Sequence, residues 1–365
     1  MTLSLYVARR FGLAFLGVLL VFTFILGLLD MVEQIRRFAG DNVSFSQAAG
    51  LAALDVPSSL YRILPLTMIL SAIVLFLGLA RTSELVVIRA AGRSALSCLV
   101  APVLTALAIG VLAVTVLNPI VAATSNEYET LSTHYSQGEE NVLSISREGV
   151  WLRQGSADGQ MVIRAAKANS DATVLHDATF ISLNKQAQPT TRVEARVAHL
   201  QPGAWKLTDA KVWRFDKGPN AEKTARDMTE MTLPSDLTQA QIRDSFGPPS
   251  AVPIWQLPGF IDRLEKAGFS ARQHRVWLQM ELALPLLLAA MVLVGAGFTM
   301  RHARSGGTGL MVLLALMAGF GIFFLRNFAQ VLGENGQIPV PLAAWSPPVV
   351  AVLLALGFLL HLEEG

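Results

Sequence analysis

Residues 82–92 read TSELVVIRAAG and carry the residue types best suited to a specific contact. On a helix, Leu85, Ile88 and Gly92 share one stripe, with the Glu84 carboxylate and the Arg89 guanidinium along its two edges. Val86 and Val87 turn toward a second surface. The chemistry offered is non-covalent: apolar contact bounded by groups that form ion pairs. Uncharged apolar stretches flank the segment on both sides. It therefore reads either as a docking helix for a partner or as a connecting helix lying in a headgroup layer.

Covalent and metal chemistry find little support. No GxxxxGK[ST] phosphate loop, HExxH or CxxC occurs, so the chain is expected neither to hydrolyse nucleotide nor to hold a structural metal. The six histidines are scattered with no pair at ligand spacing, and the sole cysteine, Cys98, lies in an apolar run and allows no intrachain disulfide. A net charge of +2 gives no ground for a nucleic-acid partner. Carboxylates are missing from the middle of the uncharged stretches, which counts against ion coupling. What remains is a protein, not an enzyme, that takes its energy from outside and has a helix placed to receive it.

The elements that would position this helix follow from composition. With 52% hydrophobic and 15% charged residues over 365 positions, and a mean hydropathy of +0.47, the chain reads as an integral membrane protein. Uncharged stretches at 11–29, 63–80, within 94–123, at 282–300, 310–325 and 338–360 predict six transmembrane helices. Pro57 and Pro65 mark the entry to the second, and Asn118 and Pro119 the end of the third. No cleavable signal peptide is evident, so the first stretch is expected to stay as an anchor.

Between about 139 and 233 the period changes from helical to alternating, with Gly155, Gly159, Pro189, Pro202, Gly203, Gly218 and Pro219 between the runs. This predicts an antiparallel β-domain, sandwich-like, with turns suited to a meander or a jelly roll. Trp151, Trp205, Trp213 and Phe215 are candidate core or rim aromatics, and Val162 and Ile181 are expected to face inward. A proline-rich return linker and a short amphipathic helix ended by Gly268 complete the insertion. The expected domains are 1–125, 126–250 and 251–365. Arg9, Arg10, Arg81, Arg89, Arg93, Arg301 and Arg304 fall on one side of the membrane and only Arg36, Arg37, Arg62 and Arg326 on the other. The richer side is read as cytoplasmic, which places both termini inside and the β-domain outside.

RTSELVVIRAAG between the second and third spans, VEQIRRF at the end of the first, and a β-domain between the third and fourth together resemble the LptF/LptG family of lipopolysaccharide export permeases. SELVVIRAAG is closely similar to the family's SELVV-x-x-x-x-G coupling helix, and with VEQIRRF it favours the LptG type over the paralogous LptF type. The likeness covers essentially the whole chain. It implies a half-transporter in the inner membrane of a Gram-negative cell, with a jellyroll-like periplasmic domain. Implied partners are an LptF-like paralogue, an LptB-like ATPase dimer and an LptC-like membrane-anchored protein. ATP and magnesium would be held by the ATPase, with no cofactor in this chain.

Carried over by position, Glu84, with Leu85, Ile88 and Arg89, matches the ATPase-coupling helix. Arg36 and Arg37 match the basic pair facing the lipid A phosphates of the substrate. Both fits are chemically reasonable, since a carboxylate pairs with a basic groove rim and guanidinium forks suit phosphate oxygens. At Asp30 and Glu281 family members often carry lysine, so the outer rim of the substrate cavity is expected to be less basic here. Two readings from other classes stay open: an ion-coupled secondary carrier of amphipathic solutes, and a non-transporting assembly protein.

Overall fold

The computed structural model describes residues 2–38, 44–90, 94–135, 142–146, 149–156, 159–168, 173–184, 186, 188–215, 221–235, 237, 248–266, 270–300 and 308–364. Two compact units result: Met1–Tyr135 with Ser250–Trp255 and Arg272–Gly365, and Ser136–Pro249 with Gln256–Ala271.

The first unit is helical, and among the described residues it contains the six expected membrane-length apolar segments. They are α1 (Thr2–Arg37), α2 (Phe45–Arg81), a compound third span of α4 (Ala95–Leu112) and α5 (Asn118–Tyr135), then α7 (Arg272–Thr299), α8 (Thr308–Glu334) and α9 (Val340–Glu364). A short α3 (Glu84–Ala90) joins α2 to α4, and α6 (Leu257–Lys266) belongs to the second unit. At 36 and 37 residues, α1 and α2 each run about 55 Å, far beyond roughly 30 Å of hydrocarbon. The uncharged stretches are thus only the middles of longer rods.

That extension moves several expected boundaries. The weakly apolar residues before 63 are already helical, started by a Ser44–Gln47 capping box, and Pro57 and Pro65 lie inside α2 instead of at its entry. Glu281 and Arg326 lie inside α7 and α8 instead of at span ends. A carboxylate is therefore present within a span after all. Helix also continues to Tyr135, past the domain boundary expected after 125.

Asn118 and Pro119 do not end the third span, and the reason is local. Pro119 has no N–H to give the Thr115 carbonyl four residues back. The chain instead widens into a π-helical turn, Ala113–Leu117, in which the Asn118 N–H reaches the Ala113 carbonyl. The free Thr115 carbonyl accepts the Trp255 indole N–H at 3.3 Å, and Asn118 Oδ1 accepts the Ile254 N–H at 2.9 Å. Asn126 Nδ2 donates to the Ala251 carbonyl at 2.9 Å. The return segment is thereby clipped along the third span.

The second unit is built on one antiparallel sheet with strand order β1-β2-β3-β4-β5-β6-β7: Val142–Ser146, Gly149–Ser156, Gly159–Ala168, Val174–Asn184, Pro189–Gln201, Ala204–Arg214 and Arg226–Pro234. This is a meander, the simpler of the two connectivities the turns allow, and no second sheet occurs among the described residues. Gly203 takes φ +82° in the β5–β6 turn, a backbone shape glycine adopts without steric cost. Trp205 is fully buried against Phe180, whereas Phe215 is exposed. The inward residues are Ile163 and Phe180, so Val162 and Ile181 pair on the opposite face. The run Met161–Val162–Ile163 is apolar on both faces, and alternation alone leaves its phase open. In α6, Leu257, Ile261 and Leu264 form the buried stripe; Gly268 lies outside the described residues.

The sheet is creased along one line. Ile163 and Ala165 are buried and then Ala168; the same skip occurs at Ala178 to Leu175, Ala195 to Ala198, and Leu207 to Ala210. Asp177 and Asp209 sit on this line with φ +50° and +52°, and Arg196 between them pairs with Asp209 at 2.7 Å. Aspartate tolerates the left-handed region better than most residues. The inward phase therefore shifts by one residue; one pair is skipped at this level in each ladder from β3 to β7, and the pairs on either side keep their register.

Close helix packing rests on small residues. A Cβ on Gly110 would lie 2.5 Å from the Pro285 Cα, so the backbones of α4 and α7 touch there. Gly110→Ala is expected to cost about 1 to 3 kcal/mol and to lower the temperature at which the detergent-solubilised protein loses its monodisperse peak. Gly17→Ala, with nothing within 4 Å, serves as control. Equal melting of the two variants would show that this contact does not set the α4–α7 spacing.

Candidate functional site

At the end of the bundle where α1 begins, α3 follows α2 through Thr82 and Ser83. Ser83 takes φ +59°, which turns the chain sharply enough to start a new helix at Glu84. The two faces of α3 then differ. Leu85 and Ile88 are buried, at 7% and 8% exposure, while Val86 and Val87 are 52% and 66% exposed. The stripe read from sequence as the docking surface is thus the one that seats α3 on its own bundle. Its second surface is the open one. Arg89 lies on the same helix, but its side chain and Gly92 lie outside the described residues.

Glu84 is surrounded by hydrogen-bond donors. Arg10 Nη1 is 2.6 Å from Oε1, Thr82 Oγ1 is 2.7 Å from the same oxygen, and the Tyr6 hydroxyl is 3.0 Å from Oε2. The Arg10 bond, and then those of Thr82 and Tyr6, hold the Glu84 carboxyl below its ordinary range.

At the other end of α1, Arg36 and Arg37 occupy the last helical turn, where cations complement the helix dipole. They diverge. Arg36 is paired with Glu33 at 2.9 Å and leaves 77% of its side chain exposed. Arg37 donates to the Tyr128 hydroxyl at 3.1 Å, and Gln34, itself buried, donates to the same oxygen at 3.0 Å. One arginine is thus solvent-exposed and paired within its own helix, and the other ties α1 to α5.

A third polar site lies within the bundle. Tyr61, Asn118, Trp277, Glu281 and Arg326 line a cavity of about 290 Å³, in which the Tyr61 hydroxyl donates to Glu281 Oε2. Glu281 is completely buried, so it does not belong to a solvent-facing rim. Asp30 is half-buried on α1. Among the described residues no group of three His, Cys, Asp or Glu side chains could hold a metal ion.

The sequence profile of the lipopolysaccharide export system permease LptF/LptG matches residues 5–361, which takes in all six spans, α3 and the β-domain. The chain belongs to the LptF/LptG family. Among its relatives is the lipopolysaccharide export system permease protein LptG of Escherichia coli K12, 23% identical over 367 residues covering 96% of this chain and 94% of that one. The LptG protein of Haemophilus influenzae Rd is 22% identical over 357 residues, covering 97% and 96%. The LptF/LptG chain described here is thus similar to LptG proteins throughout its length.

The sequence pointed to Glu84, Arg36 and Arg37 but not to Tyr6, Arg10, Thr82, Tyr61 or Tyr128. A tyrosine and an arginine four residues apart at the start of α1 were the available signal for the Glu84 cluster. Their partner lies 74 to 78 residues away, beyond any local pattern.

A carboxyl whose pKa falls on folding stabilises the fold above its unfolded value, near 4.5, and loses that contribution as pH drops through the folded value. The melting difference between wild type and Glu84→Gln should therefore be flat from about pH 6 to about pH 9 and shrink only below about pH 4.5. A difference that disappears already at neutral pH would contradict the depressed carboxyl.

Proposed function

We propose that this chain is one permease half of an ATP-driven exporter that lifts lipopolysaccharide out of the inner membrane. It pairs with an LptF-like paralogue, receives an LptB-like ATPase dimer at α3, and works beside an LptC-like membrane-anchored protein. ATP and magnesium are held by the ATPase. Both termini and α3 face the cytoplasm, where the positive-inside count puts them. The β-domain lies in the periplasm and passes substrate to a bridge toward the outer membrane.

The observation that carries this reading is the exposed Val86–Val87 pair on α3. It is an apolar surface at the end of the bundle, beside the ion-paired Glu84, within a chain that belongs to a permease family. The adjacent valines would give a partner's groove an apolar contact on α3. The flank of the bundle supports the paralogue. Only 6% of the apolar window of α1 and 11% of that of α8 are buried, against 78% for α7. A second permease half facing α1 and α8 encloses a lumen for acyl chains.

Arg36 stands at the rim of that lumen and exchanges Glu33 for a lipid A phosphate, and Arg37 sets the position of the rim through Tyr128. The buried Glu281 favours a second reading, an ion-coupled carrier, because a carboxylate inside a span is what such a carrier uses. Reconstitution with the paralogue and the ATPase separates the two. Lipopolysaccharide transfer should require ATP and ignore an imposed proton gradient; the reverse result would select the carrier.

Loss of a charge-assisted contact is worth about 1.5 to 3 kcal/mol, or roughly tenfold or more in affinity. Arg36→Glu should therefore reduce co-purified lipopolysaccharide by about that factor, and Arg37→Glu should reduce it less while lowering the melting temperature. Substrate loading unchanged in the Arg36→Glu, Arg37→Glu double variant would remove both residues from the substrate path.

A further inference from the structure

The carboxylate that the family resemblance assigns to the ATPase is already engaged within the chain. Arg10, Tyr6 and Thr82 all reach Glu84, and Arg10 Nη1 also donates to the Tyr6 hydroxyl at 2.7 Å. Tyr6 and Arg10 lie four residues apart on one face of α1, so a closed ring of hydrogen bonds joins α1 to the first turn of α3. Arg10 also lies across α2, where a Cβ on Gly78 would sit 3.6 Å from its Nη2. The Arg10 and Glu84 side chains are each only about one-third exposed, at 32%. Val86 and Val87, by contrast, point out of this ring and into the open.

We infer that Tyr6 and Arg10 are positioning residues that lock α3 onto the first span through Glu84, so that motion imposed on α3 reaches α1 directly. This rests on the reading that α3 receives the ATPase, and it divides the labour within α3. Val86 and Val87 make the docking contact, and Glu84 is the internal link. The geometry gives a seven-residue helix a direct polar hold on α1. A carboxylate with two oxygens and about four acceptor sites serves the ring without needing a partner from outside.

The test uses the full chain co-expressed with the paralogous permease and the ATPase and reconstituted in lipopolysaccharide-containing vesicles. Lipopolysaccharide moved per ATP hydrolysed is measured for Arg10→Ala, Tyr6→Phe, Arg10→Lys, Glu84→Gln, the Arg10→Ala, Glu84→Gln double variant, and the swap Arg10→Glu, Glu84→Arg. The ATPase should stay bound in Arg10→Ala while transport per ATP falls roughly fivefold or more. Tyr6→Phe should fall less, and Arg10→Lys should keep most of the ratio. The double variant should be no worse than Glu84→Gln alone, and the swap should recover most of the loss.

Wild-type coupling in Arg10→Ala, losses that multiply in the double variant, or a swap as poor as its worse single variant would overturn the inference. So would a swap that fails to retain the ATPase when Arg10→Glu alone retains it, since Glu84 would then be the docking contact. A wild-type complex that recovers no ATPase overturns the underlying reading instead, and it does so before any variant is compared. In that case a melting-temperature cycle over Arg10→Ala and Glu84→Gln in the isolated chain still decides whether the ring holds α1 to α3.

Discussion

Hydrocarbon offers no hydrogen-bond partners, so every backbone group placed in it has to be satisfied from within the protein. This chain nonetheless carries Pro57, Pro65, Pro102 and Pro285 inside its spans, and Pro119 in the middle of the third. At Pro119 the debt is visible and settled: the freed Thr115 carbonyl takes the Trp255 indole, and Asn118 takes the next backbone N–H. The chain returning from the β-domain is therefore held on the third span by one carbonyl that a regular helix would have used and by the side chains of Asn118 and Asn126. At Pro285 the close neighbour is Gly110, whose missing Cβ leaves room for the proline ring.

Seen from the helical unit, α1 is a strut with charged fittings at both ends. Arg10 ties its start to α3, Arg37 ties its finish to α5, and few residues of the length between are fully buried. Between those ends α1 packs along α2 on one side, with Val7, Phe11 and Phe15 buried, and leaves its other side open. The well-buried α7 is the opposite case, a span enclosed by its own chain.

The span count, the inserted all-β domain and the family were legible in the sequence because each leaves a pattern many residues long. Burial of single positions was not. Leu85 and Ile88 obey the same periodicity whether α3 shows them to a partner or to its own bundle, and only the fold decides. Glu281 and Arg326 looked like span ends because hydropathy stops at the first charge, whereas the helix continues through it. The Glu84 ring joins residues that two spans separate along the chain, and Val162 was assigned the wrong face because three consecutive apolar residues conceal the strand phase.

The crease across the β-domain divides the sheet into two panels whose pleats are offset by one residue. β1 pairs only with Gly149–Arg153, on one side of the line, whereas β7 crosses it at Thr229, where pairing with Asp209 is skipped. A strand added beside β1 thus meets a single panel and needs only regular alternation. A strand added beside β7 and long enough to cross the line would present its wrong side to one panel, unless its own sequence drops a beat at that level. The two edges are consequently not equivalent acceptors: one reads any alternating peptide, and the other reads a peptide with a syncopation built into it.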